Sequence, residues 1–482
     1  MSNATLNSDH DSSSRSRRRH LGRFAAPALV AGLLATACGS SPPGTTTPGT
    51  TTPGPVTPRR DEPVVSTLSG TGVYNFANGS GASAAFRNPY GVAVDTAGNV
   101  YVADQSDHRI RKVAPDGTTT TLAGAGVEGF ANGAGTAARF DYPNGVEVDE
   151  AGNVYVADSG NKRIRKITPG GVVTTFAGTG QIGSDNGPAS SASFQGPSDI
   201  AIDDDGTLYV ADTNQVRRIT TAGVVSTLAG SGVAGASNGA GTTASFDSLR
   251  GIDVDKNHNV YVADSFNNKV RKITPAGVVS TFAGSGAFSS IDGLGSAATF
   301  SFPLGLAVDR FGNVFVGDSF SQKVRRITPS GTVSSYAGSG STGAVDGPAG
   351  TATFNYLLGV AVDDNDTVYV GDNENRRIRK ITRPAQSAPV VSSGPPASGP
   401  AGTDVALFGS VSDADNWPLP LTVVWNVRLI GPAGNVSSCS FTNRTTLTPT
   451  LNCTVPGRYV VQIHGSDGPN GDDDTGAAVT FT

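Results

Sequence analysis

The chain repeats one segment six times, and this repetition constrains its fold more than any other feature. The clearest copy covers residues 152–169, GNVYVADSGNKRIRKITP. The aspartate of its Val-Ala-Asp or Val-Gly-Asp triplet recurs 54, 54, 52, 54 and 54 residues apart, at Asp104, Asp158, Asp212, Asp264, Asp318 and Asp372. A fixed period of this length indicates an array of similar units rather than one conventional core.

Composition favours an all-β array. The chain has 63 glycines, only 7% aromatic residues and short β-branched segments separated by Gly, Pro and Asn. Charged residues make up 16% of the chain and the net charge is −5, which gives no bulk attraction to nucleic acid. The basic RIRK segments are offset by carboxylates and lack interleaved aromatic residues, so we expect no nucleic-acid partner.

Each copy contains four short segments that we predict to be antiparallel strands, because the turns between them are tight. A single four-stranded unit cannot bury both of its faces, and radial stacking into a propeller solves this. Residues 64–70 are an isolated fourth strand, and the last copy ends at residues 377–382 without one. The N-terminal strand should therefore complete the last blade and remove an exposed edge. We predict a six-bladed propeller over residues 64–383.

The segment PNGVEVDEAGNVYVADSGNKRIRKI, residues 143–167, resembles the NHL repeat. The glycine-rich links between copies resemble the NHL variant of bacterial surface proteins and teneurin-type receptors. This resemblance implies a β-propeller. It implies little about function, because propellers host many activities.

Residues that recur in every copy are expected to be structural. We predict that a phenylalanine in each link packs between blades: Phe86, Phe140, Phe194, Phe246, Phe300 and Phe354. We predict that an aspartate caps the first turn of each blade: Asp95, Asp149, Asp203, Asp255, Asp309 and Asp363. The triplet aspartate should face an arginine of the third strand, as Asp158 would face Arg163 or Arg165.

Specific function is expected where the copies differ. The third position of the first strand is Ala93, Glu147, Ala201, Asp253, Ala307 and Ala361, and the residue before that strand is Tyr90, Asn144, Ser198, Arg250, Leu304 and Leu358. We hypothesise a ligand-binding site on the face that carries the links, formed by Tyr90, Asn144, Glu147, Asp199, Arg250 and Asp253. The alternative is that channel water satisfies these charges, or that they satisfy one another, notably Arg250 with Asp253.

An enzyme is less well supported, and we assign no catalytic residue, metal ligand or cofactor. The propeller has two histidines, His108 and His258, which should lie at opposite ends of their blades, and no Ser/His/Asp grouping is evident. Glu147 and Asp253 could serve glycoside chemistry, but the sequence does not fix their separation. An exported hydrolase or lyase acting in the central channel, and a purely architectural spacer, remain the alternatives.

The pattern of residues 1–37 predicts an export signal. Arg15, Arg17, Arg18 and Arg19 form a positive segment before an apolar run that is too short to span a bilayer. Ala35-Thr36-Ala37-Cys38 resembles the lipobox of bacterial lipoproteins, which implies a lipidated Cys38; a plain cleaved signal is the alternative. SRRRHL, residues 16–21, resembles a twin-arginine motif, and Gly39 after the cysteine favours the outer membrane or cell surface.

A tether and a second module flank the propeller. Residues 38–63 are rich in Pro, Thr and Gly, and residues 384–400 form a linker. Residues 401–482 resemble polycystic-kidney-disease-type and other immunoglobulin-like modules, with Trp425 as the core tryptophan. We expect a disulfide between Cys439 and Cys453. Aspartates at 413–415 and 472–474 are either calcium ligands or solvated loops.

The sequence thus predicts a monomeric, exported, lipid-anchored binding or scaffold protein on the surface of a bacterium. Its partner would be a protein or a glycan on the link-bearing face of the propeller. Its only contact with a membrane would be the lipid anchor.

Overall fold

The computed structural model describes residues 62–383 in full and, beyond them, the backbone of nine strands. The predicted signal, Cys38 and the tether up to residue 61 lie outside the described residues. The same is true of residues 384–389 within the linker. No helix among the described residues is long and apolar enough to cross a membrane.

Residues 62–383 form six antiparallel sheets, which confirms the predicted all-β propeller. The inner strands, which line the axis, are Pro89–Val94, Pro143–Val148, Pro197–Ile202, Leu249–Val254, Pro303–Val308 and Leu357–Val362. The second strands are Val100–Asp104, Val154–Asp158, Leu208–Asp212, Val260–Asp264, Val314–Asp318 and Val368–Asp372. The third strands are Arg109–Val113, Arg163–Ile167, Gln215–Ile219, Lys269–Ile273, Lys323–Ile327 and Arg377–Thr382.

The fourth, outer strands close the ring as predicted. They are Thr119–Ala123, Val172–Ala177, Val224–Ala229, Val278–Ala283, Thr332–Ala337 and, in blade 6, Val64–Ser69. Val64–Ser69 lies next to Arg377–Thr382, with Val65 opposite Ile381, so the two ends of the propeller share one sheet. Val65 is buried in the core cluster of blade 6.

Five blades carry a fifth, two-residue edge segment that the sequence did not predict. These segments come from the links and pair with the outer strands: Gly133–Ala134, Gly187–Pro188, Gly239–Ala240, Gly293–Leu294 and Gly347–Pro348. Four links contain a short 3₁₀ turn. These turns are Gly81–Ser83, Gly135–Ala137, Gly241–Thr243 and Gly295–Ala297. Three more join second to third strands, at Gln105–Asp107, Ser265–Asn267 and Ser319–Ser321. The links and these joining loops share one end of the propeller, which we call the upper face.

The recurring phenylalanines pack between blades, as predicted. All six are fully buried. Phe140, for example, belongs to one buried cluster with Ala93 and Tyr101 of blade 1 and Val146 and Val154 of blade 2. Apolar contacts of this kind therefore hold neighbouring sheets together around the ring.

The triplet aspartate forms a buried ion pair in every blade. In blade 2, Asp158 Oδ2 accepts a hydrogen bond from Arg165 Nη1 at 2.7 Å, and neither side chain is exposed. Arg165 Nη2 also donates to Asn132 Oδ1 of the link at 2.7 Å, and Asp158 accepts from the backbone N–H of Asp141 at 2.8 Å. Of the two arginines predicted as partners, Arg165 is therefore the correct one, and the pair fixes the link on the upper face.

The turn aspartates cap backbone N–H groups, which was also predicted. Asp149 Oδ1 accepts from the N–H of Asn153 at 2.7 Å, and Asp255 Oδ1 accepts from that of Asn257 at 2.9 Å. Both carboxylates bind a tyrosine hydroxyl of the second strand as well.

Beyond residue 383, the described strands form three small sheets. The strands are Val390–Ser393, Ala397–Gly399, Val405–Ala406, Gly409–Ser412, Thr422–Leu429, Cys439–Thr442, Thr450–Cys453, Gly457–Ser466 and Asp472–Phe481. The backbone register places Cys439 directly opposite Cys453. The disulfide between them and the immunoglobulin-like class of this module stay predictions, and the aspartates at 413–415 lie outside the described residues.

Candidate functional site

The mouth of the channel opens on the upper face. The residues predicted to surround it are the second residues of the inner strands rather than residues that precede these strands. A cavity of about 320 Å³ is lined by Tyr90, Asn144, Arg250, Leu304 and Leu358. Tyr90 and Arg250 are half-buried, whereas Leu304 and Leu358 are buried. Ser198 was predicted to surround the mouth as well, but it is not among the residues that line this cavity. Its hydroxyl donates to the backbone carbonyl of Leu249 at 2.9 Å.

A chain of side-chain amides forms one wall of this mouth across blades 6, 1 and 2. The Asn373 amide donates to Asn88 Oδ1, and Asn88 Nδ2 donates to Gln105 Oε1 at 3.1 Å. Gln105 Nε2 then donates to Asn144 Oδ1 at 2.5 Å. Each amide orients the next, so the wall presents polar groups in a fixed geometry.

A constriction of glycines lies directly below the mouth. Five inner strands carry glycine at this level: Gly91, Gly145, Gly251, Gly305 and Gly359. A Cβ atom on Gly305 would lie 2.0 Å from the Leu358 carbonyl oxygen, and one on Gly91 would lie 2.4 Å from that of Asn144. The inner strands therefore approach each other so closely that no other residue fits without displacing a neighbouring blade.

Blade 3 is the exception, because Asp199 stands where the other blades have glycine. The strand register accommodates it: Asp199 pairs with Ala211, whereas the equivalent Gly91 lies in the bulge between Pro89 and Val92. The Asp199 side chain lines both the constriction and the channel below. Its Oδ2 accepts from the backbone N–H of Ile252 at 3.2 Å.

The lower channel brings three acidic side chains together, namely Glu147, Asp199 and Asp253. They line a cavity of about 180 Å³. Glu147 Oε1 accepts from the N–H of Val148 at 3.0 Å. Asp253 accepts from the N–H of Val254 at 2.7 Å and from that of Val308 at 2.6 Å.

Burial makes these carboxyls hard to ionise. It raises the pKa of Asp199 to about 8 and that of Asp253 to about 7. The pKa of Glu147 is raised well above its ordinary value, first by burial and then by repulsion from Asp253. The channel therefore holds carboxyl groups that can be protonated near neutral pH.

The six residues hypothesised as one site thus lie in two compartments. Tyr90, Asn144 and Arg250 belong to the mouth, and Glu147 and Asp253 belong to the lower channel. Asp199 lies between them. Among the described residues Arg250 and Asp253 form no ion pair, and the Asp253 carboxylate accepts hydrogen bonds from backbone N–H groups of blades 4 and 5.

Neither histidine of the propeller lines the channel. His108 lies in the upper loop of blade 1 against the Tyr142 ring, and His258 lies in a lower turn, as predicted. His258 Nδ1 is 3.2 Å from Asp203 Oδ2 and 3.8 Å from Asp204 Oδ1. Among residues 62–383, these three side chains are the group with metal-ligating atoms close enough to share an ion. They join blades 3 and 4 at the lower face.

The sequence analysis missed a row of aromatic rings on the upper face of blades 4 to 6, which we call the aromatic strip. Its members are Phe266, Phe288, Phe302, Phe320 and Tyr356. Ring centroids are separated by 5.4 Å for Phe266–Phe302, 5.5 Å for Phe302–Phe320 and 5.5 Å for Phe320–Tyr356. Phe302 and Tyr356 also line the mouth cavity. An alignment of the copies could have found them, because Phe320 stands where blades 1 and 2 have Ser106 and Gly160.

Family profiles match four segments of the propeller. The NHL repeat matches residues 86–113, 140–167 and 354–381, and the teneurin NHL domain matches residues 179–239. Together with the six sheets, these matches define the class: the chain carries an NHL-repeat six-bladed β-propeller.

Individual relatives agree with this class. SUPPRESSOR OF QUENCHING 1, chloroplastic, of Arabidopsis thaliana is 31% identical over 323 residues, which cover 62% of this chain and 31% of that protein. NHL repeat-containing protein 2 of Homo sapiens is 28% identical over 319 residues, which cover 58% of this chain and 44% of that protein. The chain therefore spans less than half the length of these curated relatives.

A solved structure shares the fold. It is an auxiliary nutrient binding protein from Bacteroides ovatus, with a TM-score of 0.51, 18% identity, and coverage of 67% of this chain and 77% of that one. At this identity the likeness establishes the architecture alone.

Proposed function

We propose that this chain is an exported, lipid-anchored bacterial surface protein that binds a protein or glycan ligand at the upper-face mouth. One observation carries the proposal: the mouth is a cavity of about 320 Å³ whose polar and aromatic lining differs from blade to blade. Concave sites with a few oriented polar groups among apolar ones are the usual form of binding pockets. A propeller of the same architecture is named an auxiliary nutrient binding protein, which is consistent with a binding role.

Three of the hypothesised ligand contacts, Tyr90, Asn144 and Arg250, line the mouth. Tyr90 and Arg250 are half-buried and line the same cavity, so each has surface available to a ligand. Asn144 ends the amide chain, which holds it in a fixed orientation. We assign Glu147, Asp199 and Asp253 to the channel below the mouth, where they support the ring rather than contact a large ligand.

The binding proposal is tested by screening the purified chain on an array that carries glycans and bacterial surface proteins. We expect selective binding that is lost in Tyr90→Ala and in Arg250→Ala. Lys256→Ala is the matched control, since this exposed residue lies on a lower turn of the same blade as Arg250. No selective binding, or equal binding by the mouth variants, would exclude a ligand site at the mouth.

Export and anchoring rest on the sequence pattern around Cys38 and on the Pro/Thr/Gly tether that follows it. We expect radiolabelled palmitate to be incorporated into the full chain in a bacterial host, and Cys38→Ser to abolish both acylation and membrane association. Palmitate incorporation that persists in Cys38→Ser would overturn the anchor.

The channel carboxyls are the observation that favours the alternative, a hydrolase or lyase acting in the channel, because perturbed pKa values often mark catalytic groups. The position of these carboxyls argues against it: they line the smaller cavity of about 180 Å³ below the constriction, and the mouth above it is the larger of the two. Stoichiometric zinc or calcium bound on the axis of the purified protein would favour the channel enzyme over the binding protein.

A further inference from the structure

The aromatic strip combines exposure with ordered ring packing, which is mostly edge to face. Phe266 and Phe320 are each 53% exposed and Phe288 is 64% exposed, yet every ring contacts another in the row. Phe288 and Phe320 lie 5.9 Å apart, edge to face. Contiguous exposed apolar surface on a soluble protein usually marks an interaction site rather than a packing accident.

Two members of the strip are held in an unfavourable backbone conformation. Phe302 and Tyr356 both have φ of 62°, in the left-handed region that bulky residues avoid. Tyr142 and Ser248, the equivalent residues of blades 2 and 4, have the same conformation, with φ of 49° and 59°, so the repeat imposes it on four of the six blades. In blades 5 and 6 this recurring conformation carries an aromatic ring that lines the mouth cavity.

Side chains of the preceding blades fix this conformation. Asn268 Oδ1 accepts from the backbone N–H of Phe302 at 3.0 Å, and Gln322 Oε1 accepts from that of Tyr356 at 2.7 Å. The two rings are therefore presented rigidly at the edge of the mouth, and little entropy would be lost on binding.

The mouth thus has two chemically different walls. The aromatic strip lies on blades 4 to 6, and the amide chain from Asn373 to Asn144 lies on blades 6, 1 and 2. One cationic group, Arg250, and one anionic group, Glu374, line the same cavity. This balance gives no preference for an ionic ligand.

We propose that the aromatic strip and the amide chain form a binding site for a neutral oligosaccharide. A pyranose ring has an apolar face of C–H groups and a rim of hydroxyls that both donate and accept hydrogen bonds. Exposed aromatic rings can pack against the C–H face of the sugar. The fixed amides, which both donate and accept hydrogen bonds, can bind its hydroxyl groups. Rings in an unbroken row fit several sugar units in sequence rather than a single one.

This assignment rests on the proposed binding function and names its ligand class. A protein ligand would need a broad apolar contact with a surrounding polar rim. Here the amides and two of the aromatic rings line one cavity instead, which favours a ligand with two chemically distinct sides.

The test is isothermal titration calorimetry with soluble hexasaccharides: β-linked glucose, xylose, mannose and N-acetylglucosamine, and α-linked glucose. We expect wild type to bind at least one. The double variant Phe302→Asn/Phe320→Ala should bind it at least about tenfold more weakly. Asn tolerates the left-handed backbone conformation of position 302, so the fold should persist, which a thermal unfolding curve verifies. Ile182→Ala, another exposed apolar link residue, should bind like wild type.

The outcomes separate the two proposals. Failure of wild type to bind any hexasaccharide overturns the oligosaccharide assignment, as does equal binding by the folded double variant. If array proteins nevertheless bind through Tyr90 and Arg250, the proposed function stands and only the ligand class is wrong. If the binding of saccharides does not depend on Phe302 and Phe320, and the binding of array proteins does not depend on Tyr90 and Arg250, both proposals fail.

Discussion

The six blades resemble one another in their repeated hairpins and differ from one another at the upper-face mouth. Every blade buries the same Asp–Arg pair, illustrated by Asp158–Arg165 and Asp372–Arg379, with neither side chain exposed. At the mouth, the equivalent position is tyrosine in blade 1, arginine in blade 4 and leucine in blades 5 and 6. Features that repeat in this chain hold the blades and links in place, and features that differ line the cavity.

The most conspicuous charges of the sequence therefore have a structural role. Burial lowers the pKa of Arg165, and it raises that of Asp158 to about 6, against the effect of the arginine. Such a pair is costly to desolvate, but removing one partner is costlier because the other charge stays buried.

Breaking one repeated pair should have the largest effect on stability. Arg165→Ala is expected to lower the free energy of unfolding by about 3–5 kcal/mol, because it leaves Asp158 buried without its arginine. Chemical denaturation followed by fluorescence measures this. Arg139→Ala, an exposed arginine in the same blade's link, should change stability by less than about 0.5 kcal/mol. Equal effects of both variants would contradict a structural role for the pair.

Filling the glycine constriction should have the next largest effect. Gly305→Ala is expected to destabilise the propeller by about 1–3 kcal/mol, since its Cβ would overlap the Leu358 carbonyl oxygen. Gly170→Ala is the matched control, because a Cβ there would meet Thr168 Oγ1 at 3.9 Å, an ordinary contact. Thermal unfolding of both variants measures the difference in their stability. A Gly305→Ala protein as stable as the control would show that the inner strands are not in close contact.

The channel carboxyls should make stability depend on pH. Because the pKa of Glu147 is raised in the folded protein, the folded state keeps its proton to higher pH than the unfolded chain. Its contribution to stability therefore falls as pH rises from about 4.5, the ordinary glutamate value, toward the raised pKa. Glu147→Gln removes this penalty, so its stability relative to wild type should increase between pH 5 and pH 8 by about 1 kcal/mol or more.

Denaturation at several pH values measures this difference. Glu150→Gln, an exposed residue of the same blade, supplies the control and should show no such trend. A relative stability of Glu147→Gln that is constant from pH 5 to pH 8 would mean that the carboxyl is hydrated like an exposed one.

The sequence predicted the features that depend on recurrence. The ring closure by Val64–Ser69, the buried phenylalanines and the turn aspartates all follow from aligning the copies with one another, and the structure confirms them. The edge segments were missed because their partners are distant in sequence: Gly133–Ala134 pairs with an outer strand nearly forty residues later, and Gly347–Pro348 pairs with the strand that begins at Val64.

The site was predicted in part. Mouth and channel residues were identified from differences between copies, but their division into two compartments depends on how closely Gly91 and Gly305 approach the next blade. The aromatic strip was missed for a different reason. Its rings come from separate copies, and the left-handed backbone at Phe302 and Tyr356, which presents two of them, is not evident from residue type.

The central claim, that the repeated residues maintain the fold while the differing mouth residues bind, is tested most directly by making the mouth uniform. In Tyr90→Leu/Arg250→Leu, blades 1 and 4 acquire the residue that blades 5 and 6 already have at Leu304 and Leu358. Binding to the glycan and protein array and the free energy of unfolding are measured on the same preparation. We predict that binding is lost while stability stays within about 0.5 kcal/mol of wild type. Undiminished binding by this folded variant would contradict the claim.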